Sequence, residues 1–297
     1  MLSIGLRVPA GIGVPVVCKA SLEEAPTMNY SRRFTSSLCL LALVTLSCTD
    51  ATAPGDEPPE LPPLNSLFVD FSDFTSNPLQ VAAAPAAQAA GPNWGRAAVI
   101  VGVWNVALTV TLAVPVAAFV ASFTQQPEGS DGAWIWSYDF MALGVQHTAR
   151  LEASPVSAGI RWEMYITKDG EFTDFLWFSG ESNLQGTSGT WSLNMNPSQP
   201  TSFIDIEWSQ TAGRETFDTR FTNVVTGAPE NGSYIFHGVT EDPVYDAFYQ
   251  VYGVVNDNLT EIEWNRTNKA GRTRDPLYFG DSDWHCWDSD LNDVACQ

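Results

Sequence analysis

The side chains whose types and spacing could do chemistry are two sets of paired acids, a short acidic loop and two cysteines. Asp205 and Glu207 lie in Phe203-Ile204-Asp205-Ile206-Glu207-Trp208, and Glu261 and Glu263 in Leu259-Thr260-Glu261-Ile262-Glu263-Trp264. Two carboxyls roughly 5 to 9.5 Å apart can cleave a glycosidic bond between them, with Trp208 and Trp264 as platforms for the sugar. In a strand, however, neighbouring side chains point to opposite faces. Each acid then points away from its tryptophan, and the four read as a solvated strand face. Asp288, Asp290 and Asn292 alternate as the first three oxygen ligands of a calcium loop do. Asp293 stands where that loop needs glycine, and no closing glutamate follows. They are calcium candidates only in a site of another kind, and otherwise belong to an acidic loop.

Cys286 and Cys296 are the cysteines expected to remain in the mature fold, and in an oxidising compartment they are expected to form a disulfide. With only His285 beside them they lack the ligands of a zinc site. His147, His237 and His285 show no ligand spacing, and no nucleophile elbow, phosphate loop or Cys/His dyad occurs. The chain is therefore read as a non-enzyme without a cofactor.

The elements that must position these residues are strands. From about residue 131 to 297 the sequence alternates with period two, as in Trp134-Ile135-Trp136-Ser137-Tyr138-Asp139-Phe140 and Ile160-Arg161-Trp162-Glu163-Met164. Lys168-Asp169-Gly170 predicts a hairpin turn. Further strands are expected over 172–178, 190–195, 203–208, 216–223, 233–239, 248–254 and 259–266. The shared Ile-Glu-Trp core at 206–208 and 262–264 fits an up-and-down meander. So many antiparallel strands with one aromatic face must close or be covered. The expected fold is mainly β: an antiparallel meander forming a barrel or strongly curved sheet, with one long apolar helix over 94–125 packed against it. No charged residue lies between Ala97 and Pro127. Length and apolarity would also suit a membrane span, but Pro115 interrupts the middle, and a uniformly apolar helix can equally be buried.

Upstream, Met28 opens a segment with Arg32 and Arg33, an apolar run over 38–46, and Ser47-Cys48. That is the order of an export signal. Val44-Thr45-Leu46-Ser47-Cys48 resembles the lipobox of bacterial lipoproteins, in a relaxed form with Thr45 at the usual leucine position. The resemblance implies a signal peptide over 28–47 and acylation of Cys48. Residues 1–27 read as an upstream extension from a start placed too early. Residues 48–66 are a Pro- and acid-rich tether, and 67–93 hold a strand over 67–74 followed by an Ala/Pro linker.

Without its first 47 residues the chain keeps 10 of 14 basic and 32 of 34 acidic side chains, a formal charge of about −22. Such a surface excludes nucleic acid as a partner. The expected protein is a lipid-anchored lipoprotein of the bacterial cell envelope with its β domain outside the cytoplasm. The outer membrane is favoured by Thr49 after the acylated cysteine. Its partner is an unknown protein or a small apolar ligand held as in a lipocalin-like carrier. A secreted hydrolase is the reading least supported.

Overall fold

The computed structural model describes residues 57–69, 74, 91–211, 213 and 215–296. The signal peptide, the lipobox with Cys48, the first part of the tether and the Ala/Pro linker lie outside the described residues. The chain is mainly β, in one antiparallel meander of fourteen strands in chain order. These are β1 (Glu128–Ser130), β2 (Ala133–Ala142), β3 (Val145–Val156), β4 (Gly159–Lys168), β5 (Phe172–Asn183), β6 (Ser188–Asn196) and β7 (Gln199–Gln210). The remainder are β8 (Phe217–Asn223), β9 (Tyr234–Val239), β10 (Ala247–Gly253), β11 (Asn258–Trp264), β12 (Gly271–Arg274), β13 (His285–Trp287) and β14 (Asp293–Val294). β1 and β14 are not paired with each other, so the sheet keeps two edges and the expected barrel is not closed.

The alternation that predicted the strands is what places the core. One register row runs through ten strands, Trp134, Ala153, Trp162, Gly180, Trp191, Ile206, Phe221, Ile235, Val251 and Thr260. All of them lie on the face that carries the core. Large and small side chains alternate where the row is tightest. A Cβ on Gly180 would collide with the Thr190 carbonyl oxygen and come within 2.7 Å of the Trp191 ring, so only glycine fits between Trp162 and Trp191.

Two helices cover this face rather than one. α1 (Pro92–Thr111) starts with proline at its first position, where the missing N–H costs nothing. α2 (Ala113–Ser122) follows a break at Leu112. Pro115 causes it: proline has no N–H for the Thr111 carbonyl, and its ring crowds that carbonyl. Trp94, Ala97, Val101 and Leu108 of α1 and Phe119 of α2 share one core with the strands. α1 is long and apolar enough to cross a membrane by composition alone, with 39% of its apolar window buried.

Two upstream readings are corrected. The end of the tether is not free: Pro62, Pro63 and Ser66 are buried. Ser66 Oγ accepts from Trp191 Nε1 at 3.1 Å, and Thr219 Oγ1 donates to the Asn65 carbonyl at 2.9 Å. The strand expected over 67–74 is absent from its described part. A 3-10 turn at Leu64–Ser66 leads into irregular chain in which Leu67 and Val69 are buried. Leu67, Val69 and Phe74 join the core shared with the sheet. The β domain therefore includes this segment and both helices, rather than beginning near residue 131.

Candidate functional site

On the inner face beneath the C-terminal half of α1 lies a cleft of about 560 Å³, within the size range of small-molecule sites. Its floor is Ile204, Phe221, Ile235 and Val251; Trp104 and Leu108 form its roof. The register row explains the space. Where β4 and β6 place tryptophans in it, β9, β10 and β11 place Ile235, Val251 and Thr260, and the helix above offers Ala107 and Thr111. Glu230, Ser233 and Asn256, from the loops beyond β8 and β10, line the mouth.

The polar end of the cleft is built around Asp275, whose side chain is fully buried. Arg96 of α1 donates to its Oδ2 through Nη2 at 2.6 Å and Nε at 2.9 Å. Asn258 Nδ2 donates to Oδ1 at 3.0 Å. Asp275 also caps α3 (Pro276–Phe279), accepting from the Tyr278 amide, and the Arg96 guanidinium lies 4.5 Å above the Tyr278 ring. Burial pushes the Asp275 carboxyl up, but the hydrogen bonds from Arg96 and Asn258 outweigh it and hold it below the usual range. This clamp ties α1 to β11, β12 and α3, and so fixes the cleft's roof relative to its floor.

The β13–β14 hairpin holds the same end of the helix, within one turn of Arg96. Cys286 and Cys296 are bonded with Cα atoms 5.2 Å apart. The loop they close presents Asp293 Oδ1 to the Asn93 amide at 3.1 Å and the Leu291 carbonyl to the Gly91 amide at 2.9 Å. A carboxylate at this helix N-terminus meets amides that have no partner within the helix.

The calcium candidates lie in the turn between β13 and β14. Asp288 Oδ1 accepts from the backbone amides of Asp290 and Asn292, both at 2.9 Å. That oxygen shapes the hairpin turn, and Asp290 and Asn292 are exposed. Among the described residues no group of three His, Cys, Asp or Glu side chains could hold a metal ion. The paired acids are also separated. Glu261 and Glu263 form ion pairs with Arg274 and Arg272 on the neighbouring strand. Asp205 and Glu207 face outward on β7, four strands away. They line a shallow outer depression with Arg161 and Glu181, on the face opposite Trp208 and Trp264.

The histidines are structural. His147 Nδ1 lies 3.0 Å from the Val145 carbonyl, and its ring stacks on Phe140. His237 is buried and stacks on Phe221, and burial lowers its pKa to about 3. His285 stacks on Phe279 and contacts Asp281. Cys48 lies outside the described residues.

Sequence reasoning missed Arg96, Asn258 and Asp275. Two signals were present: Arg96 is the sole base between Arg33 and Arg150, placed where the uncharged run begins, and Asp275 directly precedes Pro276 as a helix cap does. Neither signal pairs the two residues, which lie 179 positions apart. Comparison with protein-family models, with curated proteins and with solved structures finds no match.

Proposed function

We propose that this chain is a lipid-anchored, non-catalytic lipoprotein of the bacterial cell envelope whose β domain carries a small ligand in the cleft beneath α1. The cleft itself carries this reading. It is concave, has an apolar floor and a few polar groups gathered at one end, and lies on the inner face of the sheet. The helix expected to pack against the sheet leaves this cleft beneath it. Two sequence features support the envelope setting: the lipobox-like segment ending at Cys48, and a surface too acidic for nucleic acid. The outer membrane remains the favoured location.

The same reading makes the sheet strongly curved around its helices. Asn93 touches β14 through Asp293, and Ala118 accepts from Tyr138 Oη on β2 at 2.7 Å. In a flat sheet those strands would lie roughly 58 Å apart at ~4.8 Å per step. Twenty-five helical residues reach at most roughly 38 Å. Curvature brings the ends together and gives the inner face the concavity a carrier needs.

Two measurements test the proposal. The chain with Cys48→Ser should take up a neutral fluorescent apolar probe, and Val251→Phe, which fills the floor of the cleft, should abolish the uptake. Equal uptake by both proteins would place the probe elsewhere and remove the carrier reading. Cys48→Ala should also release the protein from the membrane fraction; retention would favour α1 as a second anchor.

A further inference from the structure

Resting on the carrier reading, we propose that the ligand is a single-chain amphiphile whose polar head is uncharged or cationic, and that the site discriminates against an anionic head. The apolar part has a lining of matching chemistry in Leu108, Ile204, Phe221, Ile235 and Val251. At ~30 Å³ per non-hydrogen atom, the share of a liquid water, the cleft holds roughly nineteen such atoms. That suits one chain with a small head and not two.

The head is identified by the charges already committed. Arg96 is the one basic residue lining the cleft, and its guanidinium is bound to Asp275 and laid over Tyr278. Asn258 is committed at both ends, donating to Asp275 and accepting from the Leu277 amide at 3.1 Å. At the mouth, Glu230 accepts from Ser233 Oγ at 2.8 Å and forms no ion pair among the described residues. An incoming carboxylate or phosphate would meet the Glu230 carboxylate, and among the described residues that line the cleft no unpaired cation answers it. A hydroxyl, an amide or an ammonium would find an acceptor there.

The test uses the full chain with Cys48→Ser, so that no acyl chain of its own is present, loaded with the neutral probe N-phenyl-1-naphthylamine. Monolaurin, laurylamine and laurate share a tail and differ in the head, and each competes for the probe below its micelle concentration at neutral pH. Monolaurin and laurylamine are expected to displace it at least about tenfold more effectively than laurate. Glu230→Gln should close most of that gap, whereas Glu241→Gln, which removes the same charge in the β9–β10 loop outside the cleft's lining, should leave it. Laurate competing equally, or both substitutions acting alike, would overturn the head-group assignment while leaving the carrier reading intact. Failure of the probe to bind, or binding that Val251→Phe does not block, would overturn the carrier reading and this assignment with it.

Discussion

Across β2–β6 the inner row of the sheet holds Trp162 and Trp191, with Gly180 between them and Phe119 of α2 above. Across β8–β11 the same row holds Phe221, Ile235, Val251 and Thr260 beneath Leu108 of α1. The backbone pattern is continuous through both halves; only side-chain volume differs. In the first half the space is closed. Phe119 sets its ring edge-on to Phe178 at 6.1 Å and to Trp191 at 5.8 Å, and Tyr138 reaches the carbonyl of Ala118. In the second half ring packing is confined to the start of the helix, where Trp94 stacks on Phe74 beside the Arg96–Asp275 clamp, and a cleft remains beneath Leu108. A core can therefore be left with a cleft by shrinking one register row while leaving the strands unchanged, provided the covering helix is held elsewhere along its length.

The sharpest way to break this comparison is to make the packed half resemble the open one. Phe119 is 1% exposed, and Phe119→Ala should destabilise the fold by about 3 to 5 kcal/mol, the cost of a large buried cavity. Equilibrium denaturation measures this. A loss below about 1 kcal/mol would mean that this half is not closed by packing.

Next in size is the clamp. Arg96→Ala leaves the Asp275 carboxylate buried without its cation, a change that typically costs about 3 to 5 kcal/mol. The 24% exposure of the arginine side chain lets water answer part of that, so about 2 to 3 kcal/mol is expected, together with loss of probe uptake. Asp275→Asn, which keeps the hydrogen bonds to Asn258 and the α3 cap, should cost less. Equal effects from the two substitutions would show that charge pairing is not what holds the helix.

The strands were legible because one face of the sheet is buried, so that period-two alternation reports burial directly; Ile206 with Trp208, and Ile262 with Trp264, lie inside as read. The hairpin at Gly170, the interruption by Pro115 and the Cys286–Cys296 bond were legible because each depends on local chemistry. β3 escaped a stated range because its buried positions alternate His147, Ala149, Leu151 and Ala153, two of them too small to stand out. Leu67, Val69 and Phe74 carried the signal of a strand because residues packed into the core are apolar whether or not they pair. The cleft was not legible at all. It results from the sizes of Ile204, Phe221, Ile235 and Val251 on four different strands, and its clamp joins residues that no periodicity connects.

A third way to separate the halves is acid. His237 lies in the β8–β10 part, buried among Phe217, Phe221 and Tyr249, with its pKa lowered to about 3. Below about pH 6.5, the ordinary histidine value, the unfolded chain binds a proton that the folded chain does not bind until about pH 3. Stability should therefore fall as pH falls through that window, by about 1.4 kcal/mol per pH unit. Asp275 adds to the loss only lower down, because its folded pKa is depressed and its contribution disappears as pH drops below the ordinary carboxylate range. His237→Asn should flatten the upper part of the curve. A slope between pH 6 and 4 that survives this substitution would have to come from other groups.

The smallest expected effect is the most diagnostic of the comparison. Val251 is only partly buried and borders the cleft, so Val251→Phe adds volume where the sheet has left room. Overpacking in a filled core typically costs about 1 to 3 kcal/mol, and Gly180→Ala, with the Thr190 carbonyl in its way, should show that cost. Val251→Phe should change stability by less than about 1 kcal/mol while removing probe uptake, because the new ring occupies the ligand's place instead of displacing neighbours. If Val251→Phe destabilises the protein as much as Gly180→Ala does, the second half is closed as tightly as the first, and the difference in row volume does not produce a site.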